Sequence, residues 1–108
     1  MAQDFTRYKQ RLIGTSATTL FTANSNDTVV GISVANVTAS AVNASVFIND
    51  GTNDFYLVKN APIPAGSALQ VLDGGAKVVV QSGDILKVVS DTASSLDVWV
   101  STVDAIST

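Results

Sequence analysis

The chain has 108 residues, 46% of them hydrophobic, with no cysteine, no histidine and a formal charge of −3. That length holds one domain with one core; the missing residue types exclude disulfides, thiolate or imidazole metal sites and a Ser-His-Asp triad. The acidic balance argues against a nucleic-acid binder, which needs a basic surface to displace counterions from phosphates.

All nine acidic residues are Asp and none is Glu. Asp prefers caps and turns where Glu builds helices, and Val is the commonest residue, so the composition is that of strands. No apolar run nears the roughly 20 residues that span a bilayer, and the amino terminus lacks the apolar stretch of a signal peptide. The expectation is a chain made in the cytosol, with no membrane partner. Sequons at Asn26, Asn36 and Asn43 matter only in a secretory chain.

Taken in order, Met1 to Thr6 read as a loose end. Arg7 to Ile13 read as an edge strand or docking arm, with Tyr8, Gln10 and Leu12 on one face and the cations Arg7, Lys9 and Arg11 on the other. With Asp4 as the only acid, the first thirteen residues stand at +2 and the remainder at −5. A strand over Thr18 to Thr22 is followed by the turn Asn24 to Asp27, whose side chains bond their own backbone. A longer strand covers Thr28 to Val37, with Val30, Ile32 and Val34 on one face and Val29 and Gly31 on the other. After the small residues Thr38 to Ala41, Val42, Ala44, Val46 and Ile48 alternate with Asn43, Ser45, Phe47 and Asn49.

The loop Asn49 to Asp54 closes a hairpin. Phe55 to Lys59 then form a strand, Phe55 and Leu57 facing one way and Tyr56 and Val58 the other. Pro62 and Pro64 cannot donate to a ladder, so Ala61 to Gly66 read as a crossing at a sandwich corner. Strands recur at Ser67 to Leu72, Ala76 to Gln81, Ile85 to Ser90 and Leu96 to Val103. The turns between them are Asp73-Gly74-Gly75, Ser82-Gly83-Asp84 and Asp91 to Ser95. The expected fold is all-β: a single antiparallel β-sandwich or jelly-roll-like domain of about eight or nine short strands over residues 14–108, with an N-terminal arm or edge strand over 1–13.

Few residues offer chemistry. Without His, Cys or Glu, catalysis would rest on Asp, Lys, Tyr or Ser, and the aspartates fall mostly in turns where they have a local structural task. No enzyme, cofactor or small-molecule substrate is expected. The Asn49 to Asp54 loop has oxygen ligands suited to Ca²⁺, but its spacing departs from the twelve-residue EF-hand pattern and an ordinary polar hairpin loop accounts for it. The aromatics are more informative. Leu96, Val98 and Val100 share a face, which turns Trp99 outward between Asp97 and Ser101, and Phe47 lies on the face of Asn43 and Ser45. Bulky rings on polar faces point to covered surface: either an interface, or a loop or arm of the same subunit. Arg7, Lys9 and Arg11 either anchor an acidic partner or guard an edge strand against unwanted pairing.

The run Tyr56 to Leu69, then Val78 to Gln81, Ser82-Gly83-Asp84 and Leu86-Lys87-Val88, resembles small β-sandwich structural proteins of tailed bacteriophages, cyanophages included. Ala17 to Thr22 and Ser90 to Val98 resemble the same group. The resemblance implies a non-enzymatic virion component on the outer surface of the particle, first a head decoration or cement protein that binds the major capsid protein. It also implies a homo-oligomer, commonly a trimer, docking through an arm. Met1 to Ile13 would be that arm; the docking role of Arg7, Tyr8, Lys9 and Arg11 within it, and of Phe47, Tyr56 and Trp99 as outward interface aromatics, comes from the reading of the residues and not from the resemblance. A neck, tail or baseplate adaptor is the alternative, and a carbohydrate-binding module with Trp99 and Tyr56 stacking on sugars is a third.

Overall fold

Short apolar runs alternating with polar residues, broken by Gly, Asn and Asp, leave the backbone one economical way to satisfy its N–H and C=O groups: pairing between neighbouring strands. The computed structural model describes residues 4–72 and 77–104, which form strands and no helix. The strands are β1 (Asp4–Ile13), β2 (Thr18–Thr22), β3 (Asp27–Asn36), β4 (Val42–Asn49), β5 (Asp54–Ile63), β6 (Ala68–Leu72), β7 (Val78–Val80), β8 (Ile85–Ser90) and β9 (Leu96–Asp104). The turn at 73–75 and the expected strand start at Ala76 lie outside the described residues.

Two antiparallel sheets result. One runs β1-β9-β3-β6, with β7 also on β3, and the other runs β2-β8-β4-β5. The pairs nest: β4 with β5, β3 with β6 and β7, β2 with β8, β1 with β9. This wrapped order is jelly-roll-like. Val29, Ile32, Val34, Val98 and Val100 from the first sheet meet Val46, Leu86, Val88 and Ile63 from the second in one buried core.

Asn36 locks one end of the sandwich. Its buried amide donates to the Ser40 carbonyl (2.8 Å) and the Ile63 carbonyl (3.0 Å), while its side-chain oxygen accepts from the Thr38 N–H and hydroxyl. The β3–β4 loop is thereby tied to the end of β5. Ser95 acts similarly beside it: its hydroxyl donates to the Thr92 carbonyl and, having one hydrogen, accepts from the Ser90 hydroxyl.

Several sequence expectations need correction, mostly because bulges interrupt the period of two. In β3 the register against β9 shifts between Val29 and Gly31, so Val29 and Ile32 both enter the core and Val30 does not. In β1 the register shifts between Gln10 and Ile13, and Leu12 takes a left-handed φ of 54°. Leu12 is therefore turned out to 48% exposure instead of facing in with Tyr8, and Ile13 is buried in its place. In β5 a shift lets Leu57 and Val58 both pack against the core.

The proline expectation also moves. β5 continues through Pro62, which pairs with Asn43, and ends at Ile63; the turn comes at Pro64 to Ser67, closed by the Ser67 N–H to the Pro64 carbonyl. Pro62 is tolerated because β5 is an edge strand, where one side needs no ladder donor. The expected loose end shrinks likewise: Asp4 to Thr6 already belong to β1, in register with Asp104 to Thr102 of β9.

Candidate docking surface

Residues Asp4–Ile13 do not form an arm that leaves the sandwich. They lie along β9 as the edge of the first sheet. The inward residues fasten the strand. The Tyr8 ring stacks on Phe21 of β2 with centroids 4.4 Å apart, Thr6 donates to Asp104, and Ile13 enters the core. Partial burial, with the Asp104 and Asp27 carboxylates nearby, raises the Tyr8 phenol above its ordinary value, so it stays neutral. Tyr8 thus serves the fold, whereas the notable outward residues of β1 are Phe5, Arg7 and Lys9.

Those side chains meet β9. Register places Phe5 opposite Val103, Arg7 opposite Ser101 and Lys9 opposite Trp99. The Arg7 guanidinium lies over the Trp99 ring, 5.4 Å from its centre, a cation–π contact across the β1–β9 pair. Lys9, Gln10, Arg11, Asp97, Val98 and Trp99 line a shallow, open depression beside them. Asp97, the carboxylate in that lining, accepts the Leu12 N–H at 3.0 Å and so holds the bulge.

Trp99 is 49% exposed and Phe5 86%. Phe5 has no place among the sequence expectations, because Met1 to Thr6 read as a loose end; carrying the alternation back two residues from Arg7 finds it. Across the same outer face, Gly31, Ser33 and Ala35 of β3 and Ser101 of β9 keep the surface low around the Trp99 ring. Two aromatics, Phe5 and Trp99, and three cations, Arg7, Lys9 and Arg11, thus lie beside these small residues.

Phe47 and Tyr56 lie elsewhere. They pair across β4 and β5 on the outer face of the second sheet, with ring centroids 5.0 Å apart, and the Lys59 ammonium sits 4.9 Å from the Tyr56 ring centre. Phe47 faces outward as its alternation requires, yet only 5% of it is exposed; Tyr56 packs against it within the subunit. It offers little surface to a partner. Because Trp99 points out of the first sheet and Tyr56 out of the second, the two rings do not build a shared sugar-stacking platform.

The Asn49 to Asp54 loop uses its oxygens on itself. Asp50 accepts the N–H groups of Thr52 and Asn53, Asn49 accepts the Gly51 N–H, and Asn49 donates to Asp54. Among the described residues no three of His, Cys, Asp or Glu are grouped to hold a metal ion. The backbone N–H bonds from Asn53 and Thr52 lower the Asp50 pKa below the ordinary aspartate value, and the Asn43 N–H, with the Thr92 hydroxyl, lowers that of Asp91. A depressed folded pKa gives stability that is present above the unfolded value and lost as pH falls through the folded one. Carboxyl-carbon NMR titration should therefore find both groups below the ordinary aspartate value, and Asp50→Asn should flatten the acid limb of the stability profile.

No family model matches the chain, and no curated protein matches it. Among solved structures, the crystal structure of a pentameric capsid protein isolated from metagenomic phage sequences aligns over 93% of this chain and 60% of its own, with 19% identity and a TM-score of 0.49. The chain thus spans less than two thirds of that protein's length.

Proposed function

We propose that this chain is a non-enzymatic structural protein of a phage virion, a decoration or cement protein that docks on the major capsid protein. The phage assignment rests on the sequence resemblance. The docking role rests on one observation: the β1–β9 face presents Phe5, Arg7, Lys9, Arg11 and Trp99 together, beside the small residues Gly31, Ser33, Ala35 and Ser101. Exposed aromatics with Arg are the side chains that interfaces favour, and a cationic rim steers an acidic partner. The docking element is the outer face of an edge strand instead of an extended arm. The resemblance also favours a homo-oligomer, with a trimer as its expected form.

Copy number tests this. Quantitative mass spectrometry of purified virions should find hundreds of copies per particle, in fixed ratio to the major capsid protein. A dozen or fewer would transfer the chain to the neck, tail or baseplate. Absence from purified particles would overturn the structural role.

A further inference from the structure

The outer face of β1 accounts for side chains; its free edge is a separate feature. Sheet edges expose unpaired N–H and C=O groups that template pairing with another chain unless they are blunted. Among the described residues the two sheets have four edges, and three of them are blunted. β5 carries Pro62, two register shifts and a left-handed Asn60. β2 has five residues and a register shift, and the edge opposite β1 is divided between β6 and the three-residue β7. β1 is different: it pairs with β9 at seven successive positions, Asp4 to Gln10, without a shift, and among the described residues no strand lies on its other side. That is a straight edge of roughly 20 Å at about 3.4 Å per residue.

We infer that this edge takes an extended acidic segment of the docking partner as an added strand. This mode rests on the docking role proposed above and specifies how it is achieved. Charge decides the occupant. Side chains of an added strand stand about 5 Å from their cross-strand neighbours, so residues of the newcomer face Arg7 and Lys9 directly. A second copy of β1 would set cations against cations, which is destabilising. A segment with Asp or Glu at every second position instead pairs with them, while main-chain bonds to the open edge supply the register. Edge protection alone would explain the cations, but not Phe5, left 86% exposed at the end of the same row.

The test uses the full chain and a fluorescein-labelled ten-residue peptide alternating Asp with Thr and Val. Two controls accompany it: the same peptide with Lys for Asp, and the acidic peptide N-methylated at the alternate amides of one edge, prepared separately for each edge. Anisotropy should show the acidic peptide binding and the Lys peptide not. R7E/K9E, checked for folding by its unfolding midpoint, should weaken binding at least tenfold, as should N-methylation of one edge. Amides of β1 should gain hydrogen-exchange protection when the acidic peptide is bound. Failure of the acidic peptide to bind, equal binding of the Lys peptide, or undiminished binding of both N-methylated peptides would overturn strand addition. If particles still bind the chain through the β1 cations, the docking role survives that outcome. Peptide binding by a chain that is absent from virions would instead uphold the acidic strand site and overturn the docking role.

Discussion

Asn36→Asp should cost about 3 kcal/mol of stability at neutral pH and Asn36→Ala about 2 kcal/mol, on the scale of buried polar groups left without partners. Asn36 is 2% exposed, and its amide supplies two donors to the Ser40 and Ile63 carbonyls. Alanine leaves both carbonyls and the Thr38 groups without that partner. The aspartate is nearly isosteric and keeps the acceptor for Thr38, but it replaces two donors with an anionic oxygen facing carbonyl oxygens. Burial and those carbonyls raise the pKa of the introduced carboxyl, so its penalty is largest above that pKa and shrinks as pH falls and a proton returns one donor. Urea unfolding at pH 7 and pH 4.5 measures both effects. Equal stability of wild type and N36D at pH 7 would show that the end of the sandwich is not held by this side chain.

Removal of residues 1–13 should abolish cooperative folding. Were this segment an arm, the remaining sandwich would fold without it. As β1 it covers the edge of β9, buries Ile13, stacks Tyr8 on Phe21 and accepts the Ser95 N–H on the Ile13 carbonyl. Burial of Ile13 alone is worth about 2 kcal/mol, and the lost ladder and stack add to it, a large share of the 5–15 kcal/mol typical of a domain. Tyr8→Ala is the milder companion, expected to cost about 2 kcal/mol because the ring is half-buried and stacked on one neighbour. Circular dichroism during thermal unfolding tests both. A truncated chain with a sharp transition near that of the full chain would show β1 to be dispensable.

The sequence disclosed strand identity well and facing less evenly. β2 and β8 have the expected bounds, and Trp99 turns outward as the alternation of Leu96, Val98 and Val100 requires. The differences fall at Val30, Leu12 and Leu57, each beside a bulge. A bulge adds one residue to one strand only, so its position depends on the partner strand and leaves no mark in local periodicity. Pro62 misled for a related reason: its effect depends on whether β5 lies at an edge, which is a property of the sheet. Of the candidate interface residues, Arg7, Lys9, Arg11 and Trp99 come together on one surface, which neither segment reveals alone, since they are joined by the pairing of the first strand with the last. Tyr8 and Phe47 are taken up by contacts within the subunit.

Docking of this sandwich on the virion through its β1–β9 face is tested most directly by co-sedimentation. The purified chain is mixed with virions stripped of it, and wild type is compared with R7E/K9E/R11E. Wild type should bind saturably and more weakly as salt rises, with at least a tenfold loss in the folded triple variant. Equal binding of the two proteins would contradict docking through this face.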